Sequence, residues 1–313
     1  MLRVGIDLGG TKIAVGLIDE SGRILARGSV PTKKDRPYVQ IIADMAKCVQ
    51  DTVMAGGYAV SDVSGVGIGI PGLPDMRTGK VIYCVNLHWQ DVPLAQEMEQ
   101  LLQKPITIGN DATVAGLAEY AAGASRGSTS SVFLTLGTGV GSGIIINGQA
   151  WVGCHGVGGE VGHTMLRMGG EICNCGDRGC VDRYCSASAV IREGRLALRR
   201  NNSSIMVKMC GGDPEILTAK HVFDAAREGD VAAMEVFSNY VTDLAQTIDS
   251  IISFLDPEII VLGGGISKAG SFLLDAVRNR VPQMLLYRDM PFAKIMLAEL
   301  GEDAGIIGAA MLA

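Results

Sequence analysis

Three cysteines and a histidine gather in one short stretch: His163, Cys173, Cys175 and Cys180. Thiolate and imidazole are the donors that tetrahedral zinc selects, and structural zinc takes four of them. The loop Cys173-Asn174-Cys175-Gly176-Asp177-Arg178-Gly179-Cys180 carries two glycines, which let a short chain fold back and bring its ligands together. His155 and Cys185 are rival fourth ligands; His163 is preferred because it lies nearer the thiols and close to Glu160. A metal on His163 would also fix the backbone that aims Glu160, making knuckle and polar binding group one unit.

Two further stretches suit an anion. Asp7, Gly9, Gly10, Thr11 and Lys12 form a corner between two apolar runs. Its glycines let backbone N–H groups approach a phosphate, while Thr11 supplies a hydroxyl, Lys12 a charge, and Asp7 a carboxylate that could hold magnesium through water. The plain alternative is a glycine-rich hairpin turn with a surface lysine. Gly137-Thr138-Gly139 repeats the pattern between the runs 131–136 and 144–147, and two like corners, one per domain, could grip one polyphosphate. Asn110-Asp111 ends an apolar run, either as a helix N-cap or as a carboxylate where open α/β sheets place their ligands. Gly263-Gly264-Gly265 ends another, as a bare turn or as backbone that lies flat against an adenine or ribose.

The elements that must position these groups alternate between strand and helix. Residues 2–8, 13–18 and 23–30 read as an antiparallel meander, and 39–54 as a helix. Strand 63–70 follows, then a loop at 86–89, helix 93–102, strand 106–109 and an alanine-rich helix to about residue 123. Beyond the knuckle, the pattern predicts helix 187–200, a polar break at 201–213, a helix from about 218, and a long amphipathic helix 231–255. The last elements are strand 259–262, helix 273–286, strand 295–300 and a small-residue helix 303–312. Gly67, Gly69 and Gly72 fit a dinucleotide G-x-G-x-x-G, but they alternate inside a strand and lead into Pro71 where a helix should open, so a Rossmann site is disfavoured. A P-loop and the protein-kinase signature set are missing as well.

With 313 residues, the chain is expected to form two domains. A net charge of −6 and 5% aromatics disfavour nucleic acid, whose phosphates select basic faces. No apolar run reaches the roughly 20 residues that span a bilayer. The N-terminus opens directly into a strand without the shape of a signal peptide, which predicts a cytoplasmic protein with its eight cysteines free or metal-bound.

Taken in order, Asp7 to Lys12, Gly69-Ile70-Pro71-Gly72, Asn110-Asp111-Ala112, Gly137-Thr138-Gly139, Glu160 to His163, Cys173 to Cys180 and Gly263 to Gly265 resemble the motifs of the ROK sugar kinases, glucokinases most closely. The resemblance covers essentially the whole chain. It implies an α/β fold of two ribonuclease-H-like domains, of the actin-like and hexokinase-like ATPase type, flanking a cleft, with a small zinc knuckle. The domains would be 1–118 plus 303–313, and 119–302. It implies ATP-dependent phosphorylation of a hexose, glucose first, with magnesium and structural zinc, in a dimer or tetramer. Asp111 would be the catalytic base, and Gly72, Asn110, Glu160, His163 and Asp182 would line the sugar. Asp7, Gly9, Gly10, Thr11, Lys12, Gly137, Thr138 and Gly139 would surround phosphates and magnesium, with Gly264 and Gly265 at the nucleoside.

One departure stands out. Two residues after the last knuckle cysteine the family usually has a glutamate that touches the sugar, and this chain has Asp182, one methylene shorter. N-acetylmannosamine, allose, mannose and fructose therefore stay beside glucose as substrates. A repressor of the same family, with a DNA-binding segment ahead of Asp7, is disfavoured by the acidic charge and the position of Asp7. Retention of Asp111, Lys12 and both phosphate corners disfavours a non-catalytic sugar-binding protein.

Overall fold

The computed structural model describes residues 1–200 and 203–313; Asn201 and Asn202, the first positions of the expected polar break, lie outside the described residues. By contacts the chain forms two compact units, Met1–Thr129 with Gly143–Gly159 and Glu299–Ala313, and Ser130–Ser142 with Glu160–Ala298.

The first unit is built on strands β1 (Leu2–Leu8), β2 (Lys12–Ile18), β3 (Ile24–Pro31), β4 (Val63–Ile70) and, later, β8 (Ile106–Asn110), in the order β3-β2-β1-β4-β8. The first three are antiparallel, as the meander predicted; β4 and β8 join parallel. The period of two sends Val4, Ile6 and Leu8 into a core that includes Ile41, Met45 and Val49 of helix Tyr38–Ala55. Gly5 and Asp7 belong to the opposite face, which carries helix Ala304–Leu312. A Cβ at Gly5 would come 1.8 Å from the carbonyl oxygen of Ile306, and one at Gly67 1.7 Å from that of Ala309. Gly5 of β1 and Gly67 of β4 thus admit the last helix at backbone distance, while Gly69 faces Val114 of helix Asp111–Ala122, so the G-x-G pattern serves helix packing without a dinucleotide site.

Between β4 and β8 the chain makes a second, three-stranded antiparallel sheet, β5 (Leu73–Asp75), β6 (Lys80–Cys84) and β7 (Trp89–Val92). The sequence pattern showed only a loop at 86–89, and Trp89 instead begins β7. Strands this short give alternation too little length to register.

The other five-stranded sheet has β9 (Ser130–Leu136), β10 (Val140–Ile146), β11 (Gln149–Ala150), β12 (Ile259–Gly263) and β13 (Lys294–Leu297), in the order β11-β10-β9-β12-β13. This repeats the order of the first sheet, so Asp7–Lys12 and Gly137–Gly139 lie at the same corner of the two sheets, between their first and second strands. Helix Val231–Leu255 is amphipathic as expected and buries Phe237, Tyr240, Leu244 and Ile248. The expected helix 273–286 is shorter, Ser271–Arg280 followed by a 3₁₀ turn Val281–Gln283, because Pro282 has no N–H for a continuing ladder. Among the described residues, no helix is long and apolar enough to cross a membrane.

Candidate functional site

Parallel register assembles the first unit's groups. Asp7 of β1 pairs with Gly69 of β4, Gly69 with Gly109 of β8, and Ile70 with Asn110. Asp7, Gly69–Gly72 and Asn110–Asp111 therefore meet at one C-terminal edge, where open α/β sheets bind ligands. The Gly9–Lys12 corner closes with Gly9 N–H donating to the Lys12 carbonyl at 3.0 Å. Thr32, fully buried at the end of β3, braces it: its hydroxyl donates to the Gly9 carbonyl at 2.6 Å and its N–H to the Thr11 carbonyl at 2.9 Å. Burial raises the Asp7 pKa above the usual carboxylate value, and the Lys12 ammonium partly offsets the rise.

Asn110 is the N-cap of helix Asp111–Ala122, its side-chain oxygen accepting from the N–H of Ala112 and Thr113 at 3.0 and 3.2 Å. Its amide nitrogen donates to the Gly72 carbonyl at 3.1 Å, tying the helix start to the end of β4. Asp111 occupies the first helical position, exposed, with Oδ1 accepting from the Ala112 N–H at 2.8 Å. Gly72 is required where it sits, since a Cβ would meet the Tyr83 carbonyl oxygen at 2.5 Å. Cys84 closes the same corner, its thiol donating to the Pro71 carbonyl at 2.6 Å; burial raises its pKa, and the Asp111 charge acts in the same direction.

In the second unit, Gly137 N–H donates to the Gly139 carbonyl at 2.9 Å, closing the second corner. Parallel pairing of β9 with β12 sets Thr135 opposite Gly263, so the Gly264–Gly265 turn lies beside the end of β9. Gly264 has φ +81° and would place a Cβ 2.6 Å from the Leu136 nitrogen, whereas Gly265 faces open space. Asp182 Oδ1 accepts from the Val140 N–H at 2.8 Å. Gly162 packs on the other side of that residue, with its Cβ position 2.0 Å from the Val140 carbonyl oxygen.

The knuckle brings all four expected donors together: ligand atoms of His163, Cys173, Cys175 and Cys180 lie within 4.8 Å of one another. Cys173 Sγ is 3.7 Å from His163 Nδ1, and Cys175 Sγ 3.6 Å from Cys180 Sγ. A tetrahedral ion with metal–sulfur bonds of about 2.3 Å spaces its sulfurs at about 3.8 Å, so the donor set fits. The rivals stand elsewhere: Cys185 is buried beside Thr247, and His155 is outside the cluster. Gly179, at φ +81°, could not carry a side chain, its Cβ falling 1.7 Å from the Arg167 carbonyl oxygen. Burial pushes the Cys180 thiol up to about 12, with the neighbouring sulfurs adding to the rise. Glu160 and His163 are both exposed and share one turn, His163 N–H donating to the Glu160 carbonyl at 3.0 Å.

The ROK family profile matches residues 3–313. The chain belongs to the ROK family. Among ROK relatives, a glucokinase from Thermotoga maritima is 37% identical over 310 residues, covering 99% of this chain and 96% of the relative. A glucokinase from Halalkalibacterium halodurans is 36% identical, covering 99% and 94%. The crystal structure of a ROK glucokinase from Streptomyces griseus in complex with glucose and AMPPNP superposes with a TM-score of 0.85, at 34% identity, covering 100% of this chain and 99% of the other. The fold is the ROK sugar-kinase fold of the actin-like ATPase type, with mixed α/β sheets.

Thr32, Cys84 and Gly305, which packs against Asp7, left no sequence signal, because each acts through a contact with a residue distant in the chain. Gly305 alone lay in a recognisable context, the small-residue terminal helix.

Proposed function

We propose that the protein is an ATP-dependent hexose kinase that converts glucose to glucose 6-phosphate. The observation that carries this is the shared edge of the first sheet, where register sets Asp7 level with Gly69 and Gly109, and the Asn110 cap that follows Gly109 opens the helix that begins at Asp111. The full-length similarity to glucokinases supports the same reading.

In this reading the sugar's 6-hydroxyl oxygen attacks the γ-phosphorus, the bond to the ADP oxygen breaks, and Asp111 takes the hydroxyl proton. A carboxylate within reach of the hydroxyl serves as its general base. Asn110, Gly72, Glu160 and His163 hold the other hydroxyls. Gly9 to Lys12 and Gly137 to Gly139 supply backbone N–H groups and charge to the phosphates, and Gly264 and Gly265 lie along the nucleoside. Magnesium, held through Asp7, would neutralise charge on the transferring phosphoryl group. Zinc on His163, Cys173, Cys175 and Cys180 would set the turn that presents Glu160. The ribonuclease-H-like reading of each domain, with the division at 1–118 plus 303–313 against 119–302, belongs to the same proposal, as do a homo-oligomer and a cytoplasmic location.

The test is ADP release by the purified protein with ATP, magnesium and glucose, mannose, fructose, allose or N-acetylmannosamine, with the sugar phosphate identified. Glucose is expected to give the highest kcat/KM. A higher value for another sugar would reassign the substrate, and ADP release independent of sugar would overturn the kinase reading.

A further inference from the structure

Segment 182–188, directly after the last knuckle cysteine, holds both ends of the Gly137–Gly139 turn. At one end Asp182 Oδ1 accepts from Val140 N–H at 2.8 Å. At the other, the Ala187 N–H donates to the Gly137 carbonyl at 2.7 Å, and the Ser188 hydroxyl donates to the Thr138 carbonyl at 2.7 Å. The turn sits so closely on the carboxylate that a Cβ at Gly139 would lie 2.6 Å from Asp182 Oδ1. Asp182 is itself anchored, being the first residue of a helical turn, Asp182–Cys185, in which Arg183 N–H donates to the Cys180 carbonyl at 2.9 Å.

We propose that Asp182 is a positioning residue for the nucleotide phosphates and not a ligand of the sugar. The inference rests on the reading of Gly137–Gly139 as a phosphate turn. The short aspartate side chain spends an oxygen on the backbone of that turn, fixing Val140 N–H and with it the direction of the preceding amides. A turn held in its binding conformation loses less entropy when the phosphates arrive. The bond needs an acceptor and not a charge. An uncharged amide can replace the carboxylate, and removing a negative charge beside a phosphate turn does not weaken anion binding.

The experiment is calorimetric titration of purified protein with magnesium and AMPPNP in the absence of sugar, with glucose titrated separately, on wild type, Asp182→Ala, Asp182→Asn and Ser188→Ala. Asp182→Ala is expected to weaken AMPPNP binding about tenfold, the scale of one charge-assisted hydrogen bond, with the glucose Kd unchanged. Asp182→Asn, which keeps the acceptor, is expected to bind AMPPNP within twofold of wild type or tighter. Thermal unfolding and metal content report whether each variant is folded. If Asp182→Ala fails to fold, Ser188→Ala carries the same expectation at about threefold. An unchanged AMPPNP Kd in the folded variants overturns the inference, as does a loss confined to glucose. Wild type that does not bind AMPPNP at all overturns the kinase reading and this inference with it.

Discussion

A Cβ at Gly305 would lie 2.8 Å from the Cγ of Asp7, so the last helix of the chain rests directly on the candidate magnesium carboxylate. Burial there raises the Asp7 pKa. A carboxylate with a raised folded pKa contributes stability below its unfolded pKa, near the ordinary aspartate value of 3.8, and loses it as pH rises through the folded value. At neutral pH the ionised group is a net cost. Asp7→Asn is therefore expected to raise the unfolding temperature of the nucleotide-free protein at pH 7 while lowering kcat/KM about 100-fold. Differential scanning calorimetry and a coupled assay measure the two effects, and a lower unfolding temperature would count against this account.

Asp111→Ala is expected to lower kcat about 1000-fold with glucose binding within a few-fold of wild type, the pattern of a lost general base. Steady-state kinetics with calorimetric binding of glucose checks it. Near-normal turnover would remove Asp111 from the chemistry.

Elemental analysis is expected to find about one zinc per chain, held by the four donors of the knuckle. Cys175→Ser should lower the zinc content and raise the KM for glucose about 10- to 100-fold, because His163 then no longer fixes the Glu160 turn. A protein purified without zinc, yet with a normal glucose KM, would detach the knuckle from the sugar.

Glu119 is fully buried, and its carboxylate accepts from the backbone N–H groups of Ala124 at 2.8 Å, Glu299 at 3.1 Å and Leu300 at 2.9 Å. Replacing it by alanine strands these donors, and the expected loss is about 3 kcal/mol or more of unfolding free energy, read by urea titration. Glu119→Gln keeps an acceptor and should lose less.

How far the sequence disclosed this molecule depended on range. The meander of β1 to β3, helix Val231–Leu255 and the cysteine loop were readable because apolar periodicity and ligand spacing are local signals. The sheet β5-β6-β7 was not, its strands being three to five residues long. The knuckle was legible as a donor set, yet the hydrogen bond from Val140 to Asp182 joins residues far apart in sequence and leaves no periodic trace. Asn110 showed both faces of the problem: the sequence offered a cap, which it is, but not the bond to Gly72 that makes the cap part of the site edge.

Because Gly5 and Gly67 receive helix Ala304–Leu312 at backbone distance, one face of the first sheet is filled by a helix far removed from both strands in the chain. The fit at those two glycines depends on a segment contributed from far along the chain, so the sheet and the helix must be stable together. Undocking of the helix would open that groove, together with Asp7, to water.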